Sequence, residues 1–190
     1  SENRMTIKVR KSIFTDILVL APSRHIDDRG FFSESWNSRD MQVAGIQFNW
    51  VQENHSFSKS AGTIRGLHYQ IPPHAQTKLV RCGRGSFKDI FVDIRMSSET
   101  YGQWGSEIIS FDEGNQILVP EGFAHGFITL EPNTEIIYKC SDFYYPALEG
   151  TISYQDSDLS IDWGSSEKPT LVSHKDQNGL RFQDLISPFK

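Results

Sequence analysis

Cysteine is scarce in this chain. Its 190 residues carry two, Cys82 and Cys140, and neither belongs to a Cys-x-x-Cys pair. That excludes a disulfide-built scaffold and points to a reducing compartment, the cytoplasm. Long apolar runs are missing as well: nothing approaches the ~20 residues of a membrane span. The stretch Ser1-Glu2-Asn3-Arg4-Met5 lacks the apolar core of a secretion signal. Basic excess is absent too, with 19 Lys and Arg against 24 Asp and Glu and a formal net charge of -5. Non-specific nucleic-acid binding needs a basic face, so that class is disfavoured, although a few local Arg and Lys could still hold an anion. No internal repeat, low-complexity segment or linker divides the chain. One domain over residues 1–190 is the expectation from length. Helix signals are few: Ser38 to Ala44, capped by Asn37 or Ser38, and a tail segment from about Asp176 to Leu185.

What the chain does have is apolar mass in short pieces. Hydrophobic residues make up 37% and aromatic residues 12%, enough to build a core. Strand-like runs cover Asp16 to Leu20, Thr77 to Cys82, Phe87 to Ile94, Glu107 to Phe111, Gln116 to Val119, Gly126 to Leu130, Glu135 to Cys140 and Thr151 to Tyr154. Turn residues separate them, such as Asp112-Glu113-Gly114-Asn115 and Glu131-Pro132-Asn133. Many short strands at regular turn spacing predict an all-β sandwich or barrel with a few short helices.

Three residues invite a chemical reading. His68 sits in Gly62-Thr63-Ile64-Arg65-Gly66-Leu67-His68-Tyr69-Gln70. On a regular strand Arg65, Leu67 and Tyr69 share one face and Ile64, His68 and Gln70 the other, unless Gly66 bulges. A lone histidine among apolar residues is more often structural than catalytic. His125 lies in Pro120-Glu121-Gly122-Phe123-Ala124-His125. That order is similar to the second half-motif of the cupin superfamily, whose histidine is a ligand in the metal-binding members. The matching first half-motif, His-x-His with a following Glu, is absent. His68 and His74 stand six apart, and Lys78 occupies the place of a possible ligand. A cation there opposes a divalent metal, so the expected metal content is none. Tyr138, in Glu135-Ile136-Ile137-Tyr138-Lys139-Cys140, shares a strand face with Ile136. The common role of such a tyrosine is half-buried packing with its hydroxyl reaching a partner.

Taken together the segments say more. Asp28-Arg29-Gly30-Phe31-Phe32-Ser33-Glu34, Arg65-Gly66-Leu67-His68-Tyr69-Gln70, Lys78-Leu79-Val80-Arg81 and Val92-Asp93-Ile94-Arg95 are followed by Tyr101-Gly102-Gln103-Trp104 and Gly122-Phe123-Ala124-His125-Gly126-Phe127. Tyr138-Lys139-Cys140 and Asp158-Leu159-Ser160-Ile161-Asp162-Trp163 complete the series. In this order, from about Asp16 to the tail, the chain resembles the dTDP-4-dehydrorhamnose 3,5-epimerase family. The resemblance implies a double-stranded β-helix, a cupin-like jelly-roll barrel, in a homodimer with exchange of N-terminal strands. It implies action on a nucleotide-linked 4-keto-6-deoxy sugar at carbon 3, carbon 5 or both.

The residues make chemical sense in that setting. Hydrogens beside a ketone are acidic because the carbanion is an enolate. Inversion needs a base on one ring face, an acid on the other, and a stabilising group at the enolate oxygen. By resemblance His68 is the base, Asp176 orients it, Tyr138 is the acid and Lys78 is the enolate-stabilising cation. Arg29 and Arg65 match diphosphate clamps, for which guanidinium forks are suited. Gln52 and Asn54 match polar groups of the nucleotide pocket, and Tyr144 a second pocket aromatic. Phe32 and Glu34 match base-side contacts that can come from a neighbouring subunit. His125 matches a histidine of the pocket floor, with a structural role equally open. No cofactor is implied, since the ketone is its own electron sink. The alternatives are a 3-only or 5-only epimerase, a ketoisomerase, or a sugar-binding cupin without chemistry. A pure binder has no reason to keep His68, Tyr138 and Lys78 together.

Overall fold

The computed structural model describes residues 5–164, 169 and 171–190. Residues 1–4, and with them most of the amino-terminal stretch read above for a signal core, lie outside the described residues. The strands are β1 (Ile7–Ile13), β2 (Ile17–Pro22), β3 (Arg24–Asp27), β4 (Gly30–Ser33), β5 (Gln52–Ser58), β6 (Thr63–Gln70) and β7 (Lys78–Arg84). They continue as β8 (Ser86–Asp93), β9 (Trp104–Ser110), β10 (Gln116–Val119), β11 (Phe123–Thr129), β12 (Thr134–Cys140), β13 (Glu149–Thr151) and β14 (Leu171–Val172). Two short helices, α1 (Ser38–Val43) and α2 (His174–Gln177), accompany them. One sheet runs β1-β2-β10-β7-β12-β5 and the other β13-β6-β11-β8-β9, with β14 alongside β6. β3 and β4 form a separate hairpin. From β5 to β13 every consecutive pair except β8–β9 crosses between the sheets, as in the double-stranded β-helix that the family resemblance implied.

The apolar pattern explains the layering. Ile17, Val80, Ile117 and Ile136 of the first sheet pack against Phe87, Phe91, Phe123 and Phe127 of the second. Burying each such side chain contributes roughly 1.5–3 kcal/mol. The second sheet is covered on its other face too: Leu67, Ile90, Val92 and Ala124 meet Ile152, Leu159 and Phe189 from the carboxy-terminal segment. A strand buried on both faces loses its alternation, which is why β8 turns from alternating to almost fully buried along its length. Outside the first sheet, α1 sets Met41 against Ile7, Leu20, Leu79 and Leu118. The Asn37 side chain caps this helix by accepting from the Asp40 amide. Asp40 in turn accepts from the Thr6 and Ile7 amides and ties α1 to β1.

Two sequence expectations need correction. The strand placed at Thr151 to Tyr154 lies earlier, at Glu149–Thr151. Ile152 lies beyond that strand, with backbone hydrogen bonds to Leu67 and an isolated bridge to Leu180. The tail helix is not continuous from Asp176 to Leu185. It is a single turn, His174–Gln177, capped by the Ser173 side chain, followed by a separate 3-10 turn at Phe182–Asp184. Between them Leu180 extends to reach Ile152, which breaks the helix. In β6 the bulge that the sequence left open at Gly66 is present. The pairing of β6 with β11 runs His125 to His68 but Phe127 to Arg65, so one extra residue is accommodated at Gly66. The slip turns Arg65 and His68 toward one cavity, whereas strict alternation had set them on opposite faces. Ile64 instead packs with Ile128 and Val172 on the other side. Only glycine fits the bulge: Gly66 has φ +130, and a Cβ there would stand 2.6 Å from the Gly126 Cα.

Candidate active site

The cavity lies between the two sheets, beside the aromatic core, and holds about 330 Å³. That is the low end of the ~300–1,000 Å³ typical of ligand pockets. One wall comes from β6 and β11 of the second sheet, which supply Arg65, His68 and His125. The opposite wall comes from β5, β7 and β12 of the first, which supply Gln52, Asn54, Ser56, Lys78 and Tyr138. Tyr144 and Glu149 close the rim.

His68 is set by a carboxylate. Its Nε2 stands 2.6 Å from Asp176 Oδ1, and Asp176 Oδ2 accepts from the Gly66 amide at 3.1 Å. Asp176 is 3% exposed. Burial alone would raise its pKa, but the hydrogen bonds from His68 and the Gly66 amide outweigh it and hold the carboxyl below its ordinary value. An ionised carboxylate only accepts, so Nε2 carries the hydrogen and Nδ1 is left with the lone pair. The carboxylate therefore fixes the tautomer in which Nδ1 is the basic nitrogen.

Tyr138 stands on the other wall, between Asn54 of β5 and Val80 of β7. It packs against the core with Ile136. Burial raises its pKa, which a hydrogen bond with Asn54 partly offsets. The phenol is thus protonated at neutral pH and able to donate. Lys78 lies 5.6 Å from the centre of the Tyr138 ring. Burial pulls its pKa down, while the neighbouring carboxyl groups of Glu149 and Asp89 oppose the shift. A partly desolvated cation beside a proton donor suits an oxygen that becomes negative during reaction. His125, 9% exposed, sits 2.6 Å from the fully buried Asp89. It faces the cavity floor with one nitrogen already committed.

The remaining expected residues divide. Gln52 donates to Asn54 at 3.1 Å and accepts from the Tyr144 amide at 3.0 Å, so these three form one polar edge of the pocket. Arg65 lines the cavity and holds the Phe57 carbonyl at 3.1 Å. Arg29, Phe32 and Glu34 do not line this cavity. They belong to the β3–β4 hairpin and its exit, where Arg29 pairs with Asp27 and Phe32 is 73% exposed. Glu149 at the cavity rim and Lys175 beside it escaped the sequence reading, as did Ser56 on β5. Glu149 accepts from the Tyr144 hydroxyl at 2.6 Å and from Lys175 at 2.8 Å. None of the three stands in a motif. The adjacency of Lys175 to Asp176 was the one available signal. Among the described residues no group of three or more His, Cys, Asp or Glu side chains is arranged to hold a metal ion.

A histidine–carboxylate pair on one barrel wall faces a protonated tyrosine and a lysine on the other, an arrangement suited to moving protons on a bound small molecule. The comparisons with known proteins make the class specific. The dTDP-4-dehydrorhamnose 3,5-epimerase family model matches residues 11–184. The dTDP-4-dehydrorhamnose 3,5-epimerase of Salmonella typhimurium is 44% identical over 180 residues, covering 94% of this chain and 98% of that protein. The crystal structure of the Bacillus anthracis enzyme of that name, with TDP and PPi bound, aligns with a TM-score of 0.89 at 42% identity over 92% of this chain and 99% of the other. A Legionella pneumophila dTDP-6-deoxy-D-glucose-3,5-epimerase in complex with dTDP-4-keto-L-rhamnose aligns with a TM-score of 0.88 at 38% identity over 95% of both chains. The chain belongs to the dTDP-4-dehydrorhamnose 3,5-epimerase family and is an isomerase, an epimerase of nucleotide-linked 4-keto-6-deoxy sugars.

Proposed function

We propose that the enzyme converts dTDP-4-dehydro-6-deoxyglucose to dTDP-4-dehydrorhamnose, inverting carbons 3 and 5 in the cavity between the sheets. The observation that carries this reading is the division of labour between walls: His68 with Asp176 on one, Tyr138 with Lys78 on the other. The sugar lies between them. His68 Nδ1 removes the hydrogen beside the ketone, Lys78 stabilises the enolate oxygen, and Tyr138 returns a proton to the opposite face. Asp176 keeps the tautomer and offsets the positive charge that His68 gains. The electron pair from the broken C–H bond rests on the substrate's own carbonyl oxygen, so no cofactor takes part.

The diphosphate lies along Arg65 at the cavity edge, and the nucleotide extends toward Gln52 and Asn54. Arg29, Phe32 and Glu34 act on the nucleotide of a second copy of the chain. The exposed Ile26 and Phe32 of the β3–β4 hairpin support a homodimer built through that element. Cys82 and Cys140, both buried and unpaired in disulfides, suit work in the reducing cytoplasm.

The deciding experiment is proton NMR in deuterated water with dTDP-4-keto-6-deoxyglucose, in a chelator. The expected result is loss of the carbon 3 and carbon 5 proton signals with appearance of the inverted product. Loss at one carbon alone would make this a mono-epimerase. A requirement for added divalent metal would overturn the metal-free mechanism. For the binding role, Arg65→Ala removes a charged hydrogen-bond donor worth about 1.5–3 kcal/mol. Calorimetry should find dTDP bound roughly 10- to 100-fold more weakly. Unchanged affinity in the folded variant removes Arg65 from the diphosphate site.

A further inference from the structure

One base serving two carbons raises a problem of proton traffic. Each abstraction leaves His68 protonated, and a second abstraction within the same binding event needs that proton gone. The groups around His68 differ in their ability to take it. Asp176 is buried and tied to Nε2 and to the Gly66 amide, on the side away from the basic nitrogen. His125, its cross-strand neighbour on β11, is engaged with Asp89. Arg65 is a cation without a lone pair to offer, and Lys78 is set on the opposite wall, beside the Tyr138 ring, on a different sheet from His68. The Tyr138 phenol is itself the proton donor.

Glu149 is differently disposed. β13 pairs with β6, setting Thr151 opposite His68 and Glu149 opposite Gln70. Glu149 Oε1 stands 3.9 Å from His68 Nδ1, the nitrogen that acts as base. Its other oxygen, Oε2, accepts from the Tyr144 hydroxyl at 2.6 Å and from Lys175 at 2.8 Å. Those two partners face solvent: Tyr144 is 49% exposed, and the Lys175 side chain is 53% exposed. The carboxylate thus spans the base and the pocket mouth.

We infer that Glu149 is the proton outlet of His68, clearing the base between the two inversions while the sugar stays bound. The inference rests on the function proposed above. The step is a transfer from imidazolium Nδ1–H to Glu149 Oε1, giving neutral imidazole and a carboxylic acid. The acid then passes the proton to water at the mouth and becomes a carboxylate again. The 3.9 Å separation exceeds hydrogen-bond reach, and a shift of about 1 Å or one bridging water closes it. Burial would raise the Glu149 pKa, but Lys175, Tyr144 and His68 outweigh it and keep the group low. The carboxylate is therefore ionised when His68 needs it and holds the proton only briefly.

Glu149→Gln tests this, because glutamine keeps the shape and an acceptor for the Tyr144 hydroxyl but takes no proton. The readout is the ratio of singly to doubly deuterated product formed per binding event in deuterated water, at matched dTDP affinity. The expected result is continued exchange at the first carbon with a shift of about tenfold or more toward singly exchanged, singly inverted sugar released to solution. Glu149→Asp keeps a carboxylate able to take the proton, so it should return the ratio toward the wild-type value. An unchanged ratio in Glu149→Gln overturns the outlet. So does equal loss of exchange at both carbons with dTDP binding intact, which would assign Glu149 to the first abstraction. A Glu149→Asp ratio no closer to wild type than that of Glu149→Gln would show that the carboxylate's proton-accepting chemistry is not what matters, and overturns the outlet as well. Failure of the wild-type enzyme to exchange at either carbon would refute the proposed function, a separate outcome from all of these.

Discussion

His68→Asn should abolish deuterium wash-in at both carbon 3 and carbon 5. Without a base no enolate forms, and exchange at either position depends on the enolate. General base groups typically contribute ~10²–10⁴-fold, so the residual signal should be near background. Asparagine is the informative replacement for a structural reason. Asp176 is buried, and removing its partner outright would leave a carboxylate oxygen unsatisfied, at a cost of about 1–3 kcal/mol or more. The shorter asparagine leaves a polar side chain in the space beside Asp176, and the Gly66 amide still donates to that carboxylate, so the fold and the Gly66 bulge should persist. Binding should persist too, since the proposed nucleotide contacts lie at Arg65, Gln52 and Asn54. The pattern to look for is therefore normal dTDP affinity by calorimetry with exchange lost. Persistent exchange would refute the base assignment. His125, the other histidine lining the cavity, would be the next to replace.

The barrel was legible in the sequence because its interior strands are written in apolar residues. β7, β8, β10 and β12 all fall where short apolar runs had been read. β5 was not foreseen, and the reason is functional. Its sequence Gln-Glu-Asn-His-Ser-Phe-Ser has almost no apolar content, because Gln52, Asn54 and Ser56 face the cavity instead of the core. A strand that builds a polar site gives up the pattern that identifies strands. β3 and β4 were missed for a related reason: the hairpin leaves Ile26 and Phe32 largely exposed, so no buried face imposes alternation. The site showed the same division. His68, Lys78, Tyr138 and Asp176 were marked through family resemblance, and the structure brings them to one place. Their relative orientation turned on the single-residue slip at Gly66, which the sequence marks as possible without deciding it. Glu149 was invisible because its role comes from β13 pairing beside β6, a contact between residues distant in sequence.

Tyr138→Phe should separate exchange from inversion. The substitution removes the hydroxyl and keeps the ring, so packing against the core with Ile136 is retained. His68, Asp176 and Lys78 remain, and the enolate can still form. Lacking a donor on the opposite face, it collapses by taking a proton back from His68 on the face it left. In deuterated water the base has by then exchanged its hydrogen, so deuterium enters without a change of configuration. Net epimerisation should fall by roughly 10²–10⁴-fold while wash-in continues at a reduced rate. The opposite walls of the cavity make the prediction sharp. His68 belongs to β6 in one sheet and Tyr138 to β12 in the other, so neither can serve the ring face of its counterpart without the sugar turning over. Tyr144 is the alternative donor, but its hydroxyl is held by Glu149 at 2.6 Å, and that bond raises its pKa. Full epimerisation by a folded Tyr138→Phe enzyme would transfer the acid role to Tyr144. Loss of exchange together with inversion would show that the Tyr138 hydroxyl is needed to form the enolate, not only to quench it.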